Sequence, residues 1–192
     1  MENVEVEIWK NIPDFEGYQA SNLGRIKSLH KMLIYKNNRV RFTKEMILKP
    51  SLDEYSRPKV VLCKNKKSYN KKVCNLVMSA FVSEKPEGYH SCHLNGNSQD
   101  NRLINLRYDT ASENSIDFYR YGKKNNMGKL SIEQVLEIRK SFAAGEATRK
   151  ELSKMFNVKP CTISKIVNRK SFDWLNSDGS IAKSKTAIRA TV

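Results

Sequence analysis

Apolar residues along the chain are spaced in a way that divides it into three stretches. From residue 5 to 62 they come in short bursts around Trp9, Ile12, Phe15 and Tyr18, interrupted by Gly17, Asn22 and Gly24. Gly and Asn accept turn conformations that other residues resist, so this stretch predicts short strands joined by tight turns, with Val60-Val61-Leu62 as a later strand. At Val73 the spacing lengthens. Val73, Leu76, Val77, Ala80 and Phe81 recur at a helical period as far as Val82. Two strand-like runs follow, Tyr89 to Leu94 and Leu103 to Tyr108, separated by the turn-rich Asn95-Gly96-Asn97-Ser98. Thr110-x-x-Glu113 is then a capping box that opens a helix. The unit at residues 71–121 thus ends as strand, loop, strand, helix.

The third stretch, residues 129–175, is helical. Ser131-x-x-Gln134 caps a helix bearing Val135, Ile138 and Phe142, which Gly145 terminates. Thr148-x-x-Glu151 opens a second helix through Phe156, carrying Leu152 and Met155. A third begins near Pro160 with Ile163, Ile166 and Val167 facing inward. Asn157 takes the turn before it, where a left-handed residue is needed. Three short helices with a tight turn before the last form a helix-turn-helix pattern. A small helical bundle without a nucleic-acid role fits the same spacing. Residues 122–128 form a basic linker, and the polar tail at 176–192 is expected to be disordered. The fold class expected is α+β, in modules.

Charge narrows the partners. The 192 residues contain 35 Lys plus Arg against 20 Asp plus Glu, a net +15. An excess of that size, spread along the chain, suits a polyanion, and double-stranded DNA is the partner expected. No apolar run approaches the ~20 residues that span a bilayer. The acidic start Met1-Glu2-Asn3-Val4-Glu5 lacks the apolar core of a signal peptide, so a cytoplasmic protein is expected. Cys63, Cys74, Cys92 and Cys161 include no CxxC pair, which excludes a four-cysteine zinc staple.

One stretch carries chemistry: Cys92-His93-Leu94-Asn95-Gly96, then Asp100-Asn101-Arg102, Asn105-Leu106-Arg107 and Thr110-Ala111-Ser112-Glu113-Asn114. His93, Asn105 and Asn114 in this layout resemble the His-Asn-Asn variant of the HNH nucleases found in phage and homing endonucleases. The resemblance extends on both sides. Glu7-Ile8-Trp9-Lys10, Gly17-Tyr18-Gln19 and Ser21-Asn22 resemble the small N-terminal module that accompanies many of them, and residues 129–175 resemble the helix-turn-helix that follows the nuclease unit. Where similar proteins read His-Arg in the helix before the nuclease unit, this chain has Cys74-Asn75.

The resemblance implies a metal-dependent DNA endonuclease leaving 5′-phosphate and 3′-hydroxyl ends, with Mg²⁺ or Mn²⁺ as cofactor. His93 would be the general base, since its free pKa lies near neutrality. Asn114 would ligate the metal, and Asn105 would bond backbone across the loop and orient His93. Cys92 stands where better-understood members carry Asp. Either it ligates a softer ion or it is a packing residue and another carboxylate binds the metal. Asp117 is the carboxylate chosen, with Asp109 and Asp100 behind it. Arg107 would grip the scissile phosphate or serve as a surface charge. Arg25, Lys27 and Lys49 are candidate phosphate contacts. Lys159, Cys161, Thr162, Ser164 and Lys165 form the candidate DNA face of the last helix. His90 and His30 are read as bystanders. A DNA-binding protein with a decayed nuclease unit is the alternative.

Overall fold

The computed structural model describes residues 6–34, 37–121 and 130–190. The chain has both strands and helices and divides into two compact units, one of residues 1–117 with 186–192 and one of residues 118–185. The basic linker expected at 122–128 lies outside the described residues.

In the first unit, β1 (Trp9–Asn11), β2 (Tyr18–Ser21) and β3 (Ile26–Ser28) run antiparallel. The hairpin of β4 (Lys31–Ile34) and β5 (Val40–Thr43) stands as its own two-stranded sheet, and β6 (Met46–Ile47) returns to the far edge of β3. A second sheet has β8 (Pro58–Lys64) between β7 (Ser51–Leu52) and β9 (Lys67–Lys72). Period-two alternation decides the burial of β8, with Val60 and Leu62 inside and Val61 outside. Both sheets close on α1 (Val73–Phe81), whose buried face takes in Cys74 and Met78 beside the expected Val73, Leu76 and Val77.

The expected hairpin pairs β10 (Tyr89–His93) antiparallel with β11 (Leu106–Thr110), and α2 (Ala111–Arg120) follows. The strand expected from Leu103 starts only at Leu106, because Leu103–Asn105 winds into a 3₁₀ turn. Leu106 and Tyr108 join the same core as Phe15, Tyr18, Ala20, Ile26, Leu62 and Val77. The two modules expected at 5–62 and 71–121 therefore share one apolar interior. The tail also departs from expectation. Ile188 pairs with Tyr108 through two 2.9 Å backbone bonds, an isolated bridge on β11, and the Thr186 hydroxyl bonds Asp109.

The second unit holds α3 (Ile132–Ala143), α4 (Arg149–Met155) and α5 (Pro160–Val167). Both capping boxes close reciprocally, Ser131 with Gln134 and Thr148 with Glu151. Asn157 takes φ +48° in the turn between α4 and α5, and Pro160 sits in the first turn of α5. Val135, Ile138, Leu152, Ile163, Ile166 and Leu175 fill the core. Met155, expected inward beside Leu152, is exposed. Arg139 supplies what spacing did not reveal: its guanidinium donates to the carbonyls of Leu175 (2.9 Å), Phe172 (2.8 Å), Ser171 (3.2 Å) and Ile166 (3.3 Å). It thus gathers carbonyls at and beyond the end of α5, three of which also accept elsewhere: Ile166 O from Arg169 N, Phe172 O from Leu175 N and Leu175 O from Arg169 Nη1. Among the described residues, no helix is long and apolar enough to cross a membrane.

Candidate active site

His93 is the last residue of β10, opposite Leu106, and the loop after it is held by many side-chain hydrogen bonds, several of them to backbone. Asn95 Oδ1 accepts from Asn97 N at 2.9 Å, and Asn97 Oδ1 accepts from Gln99 N at 3.0 Å, two Asx turns in succession. Gly96 supplies the positive φ (+69°) between them. Asp100 accepts from Arg102 Nε and Nη2, both at 2.8 Å, and from Asn95 Nδ2 at 2.9 Å. The bonds from Arg102 hold its carboxyl down at about 2.

Asn105 sits buried at the loop's centre. Its Oδ1 accepts from Asn95 N at 2.9 Å, while its Nδ2 donates to Asp100 O at 2.7 Å and Asn95 Oδ1 at 3.0 Å. Asn105 O accepts from Leu94 N at 2.8 Å, extending the β10–β11 ladder one step past His93. One amide thus ties both ends of the loop together. Its polar atoms meet the loop backbone and the Asn95 side chain.

The half-buried imidazole of His93 places Nε2 3.2 Å from Asn101 Oδ1. Asn101 Nδ2 donates to Gln99 O at 3.1 Å, which sets the amide with its oxygen toward the ring. In the neutral imidazole, Nε2 therefore carries the proton and Nδ1 the lone pair. Burial pushes the His93 pKa below its ordinary value, and the charge of Arg57 adds to this. The Asn101 bond opposes them. Burial thus favours the neutral ring, the state a general base requires.

Two residues assigned from sequence, Arg107 and Asp117, are placed differently, and Cys92 takes the packing alternative rather than the ligand one. Arg107 is buried. Its Nε donates to Asp109 at 2.8 Å and its Nη2 to both oxygens of Asp117 at 2.8 and 2.7 Å. It is neither a phosphate grip nor a surface charge but the cation at the centre of a buried ion triad. Asp117 is correspondingly withdrawn from metal binding, with both oxygens on a guanidinium and only 3% of its surface exposed. Spacing put Asp117 on one face with Asn114, but three residues turn a helix ~60° short of a full circle. That is enough to leave Asn114 exposed and Asp117 inside. Cys92 is buried beside the triad, its thiol toward His90 O at 3.5 Å, and burial pushes it up to about 11. Enclosed at 2% exposure, its sulfur is a packing group inside the unit. Asp109, a lesser candidate, is wholly buried against Arg107, Thr110 N and the Thr186 hydroxyl.

A resident divalent ion is therefore tested against a depleted donor set. Among the described residues, no three His, Cys, Asp or Glu side chains converge as a metal site would require. Of the groups near His93, Asp100 is engaged by Arg102, and the others are neutral amides and an imidazole. Mg²⁺ and Mn²⁺ prefer hard, mainly anionic oxygen. The side chains as arranged do not fit such an ion held by protein alone.

The candidate DNA contacts vary in availability. Arg25 pairs with Glu7 and lies over Trp9. Lys27 bonds Glu45 at 3.1 Å and also lies over Trp9, at 4.5 Å from the ring centre. Lys49 is exposed. In the second unit, Lys159, Cys161 and Lys165 are exposed at α5, with Thr162 and Ser164 half-buried. Two features escaped the sequence reading. Asn101 is one, although its place two residues after an Asx turn, within reach of the histidine, was the available signal. The β4–β5 hairpin is the other. It exposes Arg39 and Arg41 beside Met32, Val40 and Phe42, an alternation visible in Val40-Arg41-Phe42.

Comparison with known proteins gives likenesses to HNH-type endonucleases over parts of the chain. Residues 7–62 match the NUMOD4 motif. The uncharacterized HNH endonuclease L247 of Acanthamoeba polyphaga mimivirus is 37% identical over 114 residues, 56% of this chain and 25% of that protein. The chain thus spans about a quarter of the length of the curated relative it matches. A solved structure described as DNA binding and cleavage by the HNH homing endonuclease I-HmuI aligns over 96% of this chain and 98% of that one, at 20% identity and a TM-score of 0.47.

Proposed function

We propose that the chain is an HNH-type endonuclease that hydrolyses phosphodiester bonds in double-stranded DNA, leaving 5′-phosphate and 3′-hydroxyl ends. The carrying observation is His93. It is a neutral imidazole at the end of a strand, oriented by Asn101 in a loop that Asn105 braces from both sides. With its proton on Nε2, Nδ1 is the nitrogen that takes a proton from an attacking water. The named relative supports this reading. So do the charge of +15, the exposed arginines of the two-stranded β4–β5 ribbon, and the exposed Lys159 and Lys165 at α5, which would serve as a recognition helix.

The test uses supercoiled plasmid carrying the DNA that flanks the coding sequence, with Mg²⁺, Mn²⁺ or EDTA, for the protein and His93→Ala. Relaxation or linearisation that disappears in His93→Ala supports the proposal, and the EDTA arm reads metal dependence directly. Tight duplex binding without cleavage under any condition overturns it in favour of a DNA-binding protein with a decayed site.

A further inference from the structure

The first module reaches the loop that orients His93 at two adjacent points. Asn22 O accepts from Leu103 N at 2.8 Å. Two residues on, Gly24 lies against Asn101 so closely that an added Cβ would stand 2.8 Å from its carbonyl carbon and oxygen and 3.1 Å from its Cβ. The turn bearing Gly24 is itself rigid. Ser21, fully buried, accepts at Oγ from Arg25 N at 3.0 Å, and Ser21 N donates to Arg25 O at 2.8 Å. Asn22 fastens its other side, accepting from Ile8 N at 2.7 Å and donating to Val6 O at 3.1 Å. Gly24 has φ +83°, so glycine serves both the backbone conformation and the close approach.

We propose that the Ser21–Arg25 turn, with Gly24 at its contact point, is a positioning element for the His93 site, holding the Asn101 backbone where its amide meets the imidazole. The Asn101–His93 contact of 3.2 Å lies at the long end of hydrogen-bond geometry, so an outward shift of ~0.5 Å breaks it. A Cβ at 2.8 Å from backbone atoms forces a shift of that order. The module matched by the NUMOD4 motif thus has a duty inside the site, beyond any contact with DNA. In its catalytic consequence this rests on the nuclease proposal.

The experiment is a double-mutant cycle in the full chain with Gly24→Ala and Asn101→Ala, with Gly88→Ala as control. Gly88 has a similar φ of +76° but nothing within 4 Å of an added Cβ, so it shares the backbone strain without the contact. Gly24→Ala is expected to lower kcat by ~10- to 100-fold with KM within ~2-fold. It should add little to Asn101→Ala, while Gly88→Ala keeps the wild-type kcat. A kcat for Gly24→Ala equal to that of Gly88→Ala, or additive effects of Gly24→Ala and Asn101→Ala, overturns the proposal. Should Gly24→Ala fail to fold, Asn22→Ala loosens the turn without adding an atom. It is then expected to lower kcat at unchanged duplex affinity, and an unchanged kcat overturns the proposal. The ¹⁵N signals of the His93 ring give a readout independent of cleavage. If the wild-type protein cuts nothing, the nuclease reading fails. Gly24→Ala and Asn101→Ala must still shift those signals in the same sense, and unmoved signals in Gly24→Ala overturn the positioning role.

Discussion

Replacing Arg107 by Met separates two roles that the sequence could not tell apart. Arg107 has 3% of its surface exposed and is the shared partner of Asp109 and Asp117, themselves 0% and 3% exposed. Removing the cation leaves two buried carboxylates facing each other without compensation, which costs about 3–5 kcal/mol. The first unit, of roughly 120 residues, has an unfolding entropy of about 0.25 kcal/mol/K, so its melting transition is expected to fall by ~12–20 °C. Arg107→Lys keeps the charge but loses the planar fork that serves both carboxylates, and is expected to fall between the two. The assays are calorimetry and the salt dependence of duplex binding. A buried structural cation leaves the slope of log K against log salt unchanged, whereas loss of a phosphate contact reduces it by about 1. An unchanged melting transition with a reduced slope would refute the burial argument and return Arg107 to the DNA surface.

Two further outcomes follow from the same kind of reasoning. Because burial lowers the His93 pKa, the imidazole stays unprotonated below the usual histidine range. Cleavage should therefore lose activity, as the pH falls, only below ~6.5, and an acid limb at or above that value in the kcat profile contradicts the assignment. In the second unit, Arg139→Ala removes four guanidinium–carbonyl bonds, although Ile166 O, Phe172 O and Leu175 O keep other donors, and is expected to cost about 1–3 kcal/mol, a drop of ~7–20 °C in that unit's transition. A change under ~3 °C would show that water replaces the guanidinium without loss.

What was legible in the sequence is what local interactions decide. The capping boxes at Ser131 and Thr148 involve residues three apart, so their text specifies their geometry. The Asn-Gly-Asn-Ser turn and the β10–β11 hairpin are likewise short-range, as is the likeness to HNH-type endonucleases, carried by a compact run of spaced residues. The tertiary structure decided which of several candidate polar groups meet. Arg107 and Asp117 are ten residues apart and Asp109 and Thr186 are 77 apart, and no periodicity states that these side chains share one buried space. The same holds for Gly24 against Asn101, and for the common core of the first two modules. A charge's role depends on whether the fold leaves it in water or encloses it with a counter-charge. The path of the whole chain determines that enclosure, so the sequence could nominate Asp117, Cys92 and Arg107 but could not say which side of the surface they would occupy.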